Sequence, residues 1–192
     1  KKEIYAKCEE AGDIVINARL LADILRRMNG LQVTIEADDK LNCHIKCGET
    51  TFDIMGMAAE DFPEMPTVGS DKTIVIDADI FSEMVKGTIF AVAQNEGAKP
   101  ILTGIYVTIE DRILRFVAID GYRLAIRRHN IDIEGSFSFI LSGRAVGEAV
   151  KLIDEETENV EISFGDRLVS FNISGYSFIS RLLEGEFVNY QK

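Results

Sequence analysis

An internal repeat is the feature of this 192-residue sequence that most constrains its fold. Three segments agree in chemistry position by position: INARLLADILRR from Ile16, IDADIFSEMVKG from Ile76 and LSGRAVGEAVKL from Leu141. Each begins with an apolar residue, continues with a residue typical of a helix N-cap, and then repeats apolar residues at helical spacing. Runs of β-type residues broken by turns follow every copy. The sequence therefore predicts an α+β fold, built from one helix plus several antiparallel strands three times over.

Each predicted helix has an N-cap and one apolar face. The N-cap residues Asn17, Asp77 and Ser142 can accept a hydrogen bond from the first free backbone N–H groups. Apolar residues recur three or four positions apart and so form a stripe that faces a core. They are Leu20, Leu21, Ile24, Leu25 and Met28 in the first helix, Ile80, Phe81, Met84 and Val85 in the second, and Val146, Ala149, Val150 and Ile153 in the third.

Acids and bases lie on the other face of each helix. An acid stands three positions before a base in every copy, so the two can pair along the helix. Two bases seven positions apart point in nearly the same direction, since seven residues at about 100° each return to within about 20° of the start. This recurrence predicts a positive lining that contacts phosphates without reading their sequence. The acid-base pairs are Asp23 with Arg26, Glu83 with Lys86 and Glu148 with Lys151, and the bases seven apart are Arg19 with Arg26 and Arg144 with Lys151.

The repeat also predicts the domain organisation. Matching residues such as Arg19 and Arg144 recur 125 positions apart. Two helix-plus-strand units make a domain of ordinary size. The chain is therefore predicted to hold half a domain in residues 1–66 and a complete domain in residues 67–192. The boundary lies near PEMPTVGSDK, where prolines and a glycine cluster.

Composition and charge restrict the class of protein. With 46% hydrophobic residues the chain can bury a real core. A net charge of −11 argues against a protein coated in basic surface, although it leaves room for a local positive lining. No apolar run approaches the roughly 20 residues that cross a bilayer, and the N-terminal residues lack the pattern of a signal peptide. A cytoplasmic protein is expected.

No metal site, cofactor site or catalytic centre is indicated. Cys8, Cys43 and Cys47 match neither a disulfide framework nor a zinc motif, and they are expected to be reduced and mostly buried. Strand alternation sends His44 to the opposite face from the two cysteines beside it. His129, in the stretch RRHN, is expected at an exposed strand end. Phosphate-loop, H-E-x-x-H and G-x-S-x-G motifs are missing from the sequence.

The stretch VAIDGYRLAIRR, residues 117–128, is unusual for a plain loop. Asp120 and Gly121 predict a tight turn between two strands. Tyr122, Arg123 and Leu124 then place an aromatic ring, a guanidinium and an apolar group directly beside this turn. Two interpretations are open: the turn is a docking site, or the arginine is only a charge at a strand edge.

Three stretches together closely resemble the bacterial sliding clamp family, the beta subunit of DNA polymerase III. They are PILTGIYVTIEDRILRFVAIDGYRLAIRR, NARLLADILRR and FDIMGMAAEDFPEMP, and the match spans nearly the whole chain. In that family three similar domains per chain form a head-to-tail homodimeric ring whose inner helices surround duplex DNA. The resemblance implies a DNA clamp fold with two repeated units per domain. It also implies that this chain holds the second half of domain one and all of domain two, without the first half of domain one and without domain three.

The resemblance implies a function and partners as well. A clamp is a non-catalytic processivity factor, which holds a polymerase on DNA by topology rather than by strong local affinity. The implied partners are double-stranded DNA, the polymerase III alpha subunit, the clamp loader and repair polymerases, all the proteins binding through short linear motifs. A second copy of the full-length chain completes the ring, and no membrane partner is implied.

The same resemblance assigns residues to three surfaces. The peptide pocket departs from the usual family residues at four positions. These changes keep the pocket apolar with a cationic rim, but the family then does not imply which peptides it prefers. The departures are Ile119 for Thr, Tyr122 for His, Val188 for Pro and Lys192 for Arg. The pocket residues are Leu102, Ile119, Gly121, Tyr122, Arg123, Leu124, Val188 and Lys192. The DNA-facing residues are Arg19, Arg26, Lys86, Lys99, Arg144 and Lys151, and the dimer-interface residues are Phe52 and Ile54, which we expect to be exposed at an open strand edge.

Two other functions remain open on the residues alone. In the first, the protein is an α+β adaptor that binds only proteins, and its helical bases merely pair with the acids of the same helix. In the second, it is a hydrolase that uses His129 and Asp120.

Overall fold

Three α-helices and eleven strands form the part of the chain that the structure describes. This computed structural model describes residues 1–69, 72–94 and 97–190, apart from the side chain of Asp61. The chain divides into two units. The smaller unit is Tyr5–Met65, and the larger unit joins Lys1–Ile4 to Pro66–Lys192.

The smaller unit contains one helix and a three-stranded antiparallel sheet in the order β1-β2-β3. A single turn of 3-10 helix at Ala59–Asp61 follows the sheet. The elements are α1 (Ala18–Arg27), β1 (Thr34–Ala37), β2 (Asn42–Cys47) and β3 (Thr50–Met55).

The core of the smaller unit is small. Ile24 of α1 packs on Cys43 and Ile45 of β2. The prediction that the whole apolar stripe of α1 is buried is wrong, because Leu20 is 46% exposed and Leu25 is 38% exposed. Three strands present too little apolar surface to cover the full face of the helix.

Phe52 and Ile54 of β3 differ from the expectation of full exposure. Both side chains are partly buried, because they point to the face of the sheet that packs on α1. Only the backbone of β3 lies at the edge of the sheet. The exposed apolar side chains near this edge are those of Met55 and Met57.

The larger unit contains two four-stranded antiparallel sheets, in the orders β11-β10-β9-β4 and β7-β6-β5-β8. The two remaining helices follow β4 and β8 directly. Single turns of 3-10 helix lie at Ile89–Ala91 and Pro100–Thr103. The elements are β4 (Thr73–Asp77), α2 (Ala78–Lys86), β5 (Gly104–Glu110), β6 (Ile113–Ile119), β7 (Leu124–Asn130), β8 (Phe137–Ser142), α3 (Gly143–Val150), β9 (Asn159–Phe164), β10 (Leu168–Ile173) and β11 (Tyr176–Arg181).

The larger unit has two halves, β4 to β7 and β8 to β11, and the first strand of each half pairs with a strand of the other. β4 leads into α2 but pairs with β9 of the other half, and β8 leads into α3 but pairs with β5. Alternating apolar residues of both sheets and the buried faces of α2 and α3 make one core. At its centre the Phe81 ring lies 6.1 Å from the rings of both Phe116 and Phe171. Burial of each such side chain contributes roughly 1.5–3 kcal/mol to stability.

The helix N-caps follow the sequence prediction at two of three positions. The Asn17 side chain accepts a hydrogen bond from the Leu20 N–H at 3.0 Å. The Asp77 side chain accepts from the N–H groups of Asp79 and Ile80 at 3.0 and 3.1 Å. Ser142 occupies the N-cap position of α3, but its side chain makes no capping hydrogen bond.

Two of the three predicted acid-base pairs form along their helices. Arg26 lies 3.2 Å from Asp23, and Lys151 lies 2.8 Å from Glu148. The pair predicted within α2 is wrong, since Glu83 pairs instead with Arg127 of β7 at 3.6 Å. Because α2 packs against β7, a base from the strand reaches the acid of the helix.

The expectation that the cysteine side chains are mostly buried holds for two of the three. Cys43 and Cys47 are buried, and His44 points to the opposite face of β2, but Cys8 is exposed. Cys8 precedes the first strand of the smaller unit, where no sheet covers it. Within residues 1–69, 72–94 and 97–190, no helix combines the length and apolar character of a membrane span.

Candidate functional site

The hairpin turn between β6 and β7 is built around the Asp120 side chain. One carboxylate oxygen accepts hydrogen bonds from the backbone N–H groups of Tyr122 and Arg123 at 3.0 and 3.1 Å. The Asp120 N–H donates to the Arg123 carbonyl at 3.3 Å, which closes the turn. Gly121 has a φ of +91°, a backbone conformation that favours glycine. The Asp-Gly signal in the sequence therefore marks a real turn.

Asp120 also orients the arginine beside it. The Arg123 Nε donates to the second carboxylate oxygen at 2.9 Å. The hydrogen bond from the Tyr122 N–H is the main cause that holds the pKa of Asp120 below its ordinary value of 3.8, and Arg123 adds to the effect. Because the carboxylate is ionised at neutral pH, it fixes both the turn and the direction of the guanidinium.

Phe90 is a residue of this site that the sequence did not indicate. Its ring is 52% exposed, and the Arg123 Cζ lies 6.0 Å from the ring centroid, within the range of a cation–π contact. Phe90 belongs to the 3-10 turn after α2, more than thirty residues before Arg123. No local sequence pattern connects the two positions.

An apolar patch lies beside the turn on the outer face of the sheet β7-β6-β5-β8. Ile119 is directly opposite Leu124, and Val117 is directly opposite Ile126, so the four side chains share one face. Val117 is fully buried, so the accessible part of the patch is formed by the other three. Leu124 is 45% exposed, and Tyr122 in the turn is 96% exposed. The patch can therefore receive an apolar side chain next to a guanidinium.

Two other predicted pocket residues, Leu102 and Val188, lie on other segments of the chain. Leu102 is half-buried in the 3-10 turn that precedes β5, where its carbonyl accepts from the Ala93 N–H at 2.8 Å. Val188 lines a cavity of about 220 Å³ with Tyr106, Arg115 and other residues. Tyr106 lies directly opposite Val117, so this cavity is on the same face of the sheet as the patch. Lys192 lies outside the described residues.

All the residues predicted to face DNA are exposed. In the smaller unit they lie on α1, and in the larger unit they lie on α2, on α3, which packs against α2, and just before β5. Arg26 and Lys151 are paired within their helices. Four others take part in no ion pair with any residue that the structure describes, and so keep their charge available: Arg19, Lys86, Lys99 and Arg144.

The residues of the hydrolase hypothesis do not come together. Asp120 precedes β7, whereas His129 lies near the opposite end of that strand and is half-buried. The described parts of the chain also contain no group of three His, Cys, Asp or Glu residues placed to hold a metal ion.

Two family models match the sequence. The DNA polymerase III beta subunit, central domain, matches residues 75–189, and the DNA polymerase III beta subunit, N-terminal domain, matches residues 1–66. The beta sliding clamp of Bacillus subtilis is 31% identical over 188 residues, which are 97% of this chain and 49% of that protein. The beta sliding clamp of Staphylococcus epidermidis is 30% identical over 186 residues, 96% of this chain and 49% of that protein. The chain spans about half the length of these relatives.

Solved structures agree with the sequence comparison. The DNA polymerase sliding clamp from Bacillus subtilis superposes with a TM-score of 0.89 at 30% identity, over 95% of this chain and 48% of that chain. A DNA polymerase III beta subunit from Eubacterium rectale gives a TM-score of 0.90 at 29% identity, over 97% of this chain and 52% of that chain. The predicted resemblance and the predicted α+β clamp fold are confirmed. This chain therefore belongs to the DNA polymerase III beta subunit family, the beta sliding clamps.

Proposed function

We propose that this chain is part of a cytoplasmic, non-catalytic processivity factor that encircles double-stranded DNA and tethers a DNA polymerase to it. The observation that carries the proposal is the arginine-rimmed apolar patch around residues 119–124. The Arg123 side chain is positioned by its hydrogen bond to Asp120 and by its contact with the Phe90 ring. Such a patch fits a short linear motif with an apolar anchor, and a rigid apolar anchor site beside a charged rim is typical of interaction hot spots.

We propose that the chain holds one and a half clamp domains, residues 1–66 and 67–192. The two units support this division except at Lys1–Ile4 and Pro66, which join the larger unit. The helix and strands of the smaller unit begin 125 or 126 positions before α3, β9, β10 and β11. In the larger unit β4 covers the outer edge of β9, whereas the corresponding edge of β1 has no strand partner among the described residues. In the proposed arrangement, the first half of domain one would place a strand on this edge of β1, as β4 does on β9.

The free backbone edge of β3 is the proposed contact with a second copy of the full-length protein. β3 ends the three-stranded sheet, so its outward N–H and C=O groups can pair with a strand of the partner. Phe52 and Ile54 would support this edge from the core side, where they pack on Ile45 and its neighbours. The proposed interface is thus made by backbone pairing, with these two side chains fixing the position of the strand.

The exposed helical bases are the proposed contact with DNA. In a chain of net charge −11, these bases give only local attraction to phosphates. Each contact is then weak, salt-sensitive and independent of sequence. Weak contacts suit a protein that is held by topology and has to slide.

Fluorescence polarisation with a short Gln- and Leu-rich clamp-binding peptide tests the docking site. Arg123→Ala and Leu124→Ala should each weaken binding by about tenfold or more, the effect of truncating one of the few residues that carry most of the binding energy of an interface. Arg128→Ala and Val75→Ala are matched controls, because both residues are exposed and lie away from the turn. Equal weakening by the controls, or no effect of the two test variants on a peptide that binds, would show that the turn is not the docking site.

A protein-only adaptor is the second candidate, and the pairing of Arg26 with Asp23 and of Lys151 with Glu148 favours it. These pairs use two of the bases that the first proposal assigns to DNA.

Duplex binding at several salt concentrations separates the two functions. A clamp predicts that Arg19→Glu with Arg144→Glu weakens binding to duplex DNA and lowers the salt slope by about 0.9 for each lost phosphate contact. The control pair, Lys7→Glu with Arg181→Glu, changes the charge of each unit equally at exposed positions. Equal effects of both pairs would favour the adaptor.

A further inference from the structure

The strand β8 has a free edge that the docking surface at residues 119–124 does not use. β8 ends the sheet β7-β6-β5-β8 and pairs with β5 on one side only. On its other side, the chain after β11 approaches β8 at a single isolated bridge, between Leu141 and Leu182. Among the described residues, none pairs with the first half of β8 on this side.

The register shows which backbone groups point out of this edge. The Leu183 N–H donates to the Ile140 carbonyl at 2.9 Å, so Ile140 directs its backbone groups away from β5. Alternate residues of an antiparallel strand point the same way, which places the N–H and C=O of Ser138 at the open edge. No backbone hydrogen bond from elsewhere in the described chain reaches Ser138 on that side.

A groove of about 630 Å³ runs along this edge. Its floor contains the half-buried Phe137 and the buried Phe139, whose rings lie 5.8 and 4.4 Å from the ring of Phe164 at the end of β9, so Phe137 is the more accessible ring. Residues 182–187 form the far wall of the groove. This segment is paired with β8 only at Leu182 and Leu183 among the described residues. An extended segment laid in the groove would meet free backbone groups at its side and aromatic rings beneath it.

The charges around the groove favour a basic occupant. Among the described residues that line it are three acids, Asp166, Glu184 and Glu186, and one base, Lys72. The Lys72 Nζ lies 5.6 Å from the centroid of the Phe137 ring, on the floor of the groove. Arg167 lies 3.7 Å from Glu184, but both side chains are mostly exposed, so solvent screens the pair. Lysine or arginine side chains of a bound segment would find acidic partners along the far wall.

We propose that the β8 edge binds an extended basic peptide segment of a partner protein, which adds to the sheet as a fifth strand. Backbone hydrogen bonds to Ser138 supply the affinity, and alternate side chains reach the aromatic floor and the acidic wall, as in other cases of strand addition. The site shares no residue with the docking surface at 119–124, so it stands whether or not that surface binds clamp motifs.

The probe is a fluorescein-labelled peptide of sequence KVKVKVKVK, titrated into this chain by fluorescence polarisation. Binding should be about tenfold or more tighter than that of EVEVEVEVE, since like charges face each other in the second case. N-methylation of alternate peptide amides should abolish binding, because it removes the donors of one peptide edge. In hydrogen–deuterium exchange, the bound peptide should slow exchange in the segment that contains Ser138.

Protein variants separate this site from general attraction to an acidic protein. Glu184→Lys with Glu186→Lys should weaken binding of the lysine peptide by about tenfold, whereas Glu155→Lys with Glu156→Lys, an equal charge change in the exposed loop before β9, should have little effect. Ser138→Pro removes the outward N–H of an edge strand, where proline is tolerated, and should also abolish binding. Because the N-methylated peptide leaves the protein unchanged, it decides the question even if that variant folds poorly.

Three results would overturn the proposal. They are a failure of KVKVKVKVK to bind, equal binding of its N-methylated form, and equal weakening by the two charge-reversal pairs. A fourth result would assign the edge to a different occupant: if sedimentation shows a dimer that Ser138→Pro dissociates, the edge holds a second copy of this chain and the peptide proposal is wrong.

Discussion

Replacing Gly104 with alanine tests the close approach of β5 to β8, the strand pair that joins the two halves of the larger unit. Gly104 begins β5 and lies opposite Ser142 in the register. Its φ of −129° and ψ of 174° are extended values that any residue adopts. The cost of alanine at this position is therefore steric rather than conformational.

The size of the effect follows from the atoms that a methyl group would meet. A Cβ at residue 104 would lie 2.4 Å from the Leu141 carbonyl oxygen, 2.7 Å from Leu183 Cδ1 and 2.8 Å from Ile140 Cγ2. The leucine methyl can move, but the carbonyl cannot move without disturbing β8. Overpacking of this kind costs about 1–3 kcal/mol, and the smaller entropy of the unfolded alanine chain offsets about 0.4–1 kcal/mol. We expect a net loss of about 1–2 kcal/mol in the free energy of unfolding.

Tyrosine fluorescence during thermal unfolding measures this loss. The chain has no tryptophan and five tyrosines, of which Tyr106, Tyr122, Tyr176 and Tyr190 belong to the larger unit. The signal therefore reports mainly on that unit, which matters because two units need not unfold together. The Tm of the variant should fall by about 4–8 °C.

Gly165→Ala is the matched control. No atom lies within 4 Å of a Cβ built at that glycine, so only the smaller entropy of the unfolded chain acts there, and its Tm should equal that of the parent or rise by up to about 4 °C. If Gly104→Ala does not unfold at a lower temperature than the parent, the packing of β5 on β8 leaves room for a methyl group and the steric reasoning is refuted.

Two further predictions concern titration and thiol reactivity. The hydrogen bond to Asp53, at 2.5 Å, is the main cause that raises the pKa of His44 above 6.5. The stabilisation that protonated His44 gives the smaller unit is therefore complete below pH 6.5 and is lost as the pH rises through the raised folded-state pKa. His44→Gln should remove this pH dependence of the free energy of unfolding, and a parent protein whose denaturation curves lack the dependence would contradict the prediction. With an aromatic disulfide reagent, exposed Cys8 should react in the native protein, whereas buried Cys43 and Cys47 should react only on unfolding. Rapid reaction of all three thiols would show that solvent reaches the core of the smaller unit.

Local signals in the sequence were sufficient for the helices and for the central turn. An N-cap acts within three residues, so Asn17 and Asp77 could be recognised without any tertiary information. The turn at Asp120 and Gly121 is equally local, because its hydrogen bonds close within the same four residues. The repeat added the relation between distant copies, which a single helix would not have revealed.

Contacts between distant segments were not accessible in this way. Phe90 approaches Arg123 only because the turn after α2 lies against the hairpin, and no periodicity links the two. Glu83 follows the same logic, since its partner Arg127 comes from a strand. The exposure of Leu20 also depends on how much sheet covers α1, which the helical pattern does not contain.

The sequence by itself determined the repeated helix-plus-strand unit, the caps, the central turn and the family of this protein, because these depend on residues a few positions apart or on the recurrence of such groups. Only the tertiary structure decided that β4 joins β9 and that β8 joins β5, and that half of the β8 edge has no strand partner in the part of the chain that the structure describes. Strand alternation specifies which side chains face a core, but it does not specify which backbone edge meets which. That choice is made by the packing of the whole unit.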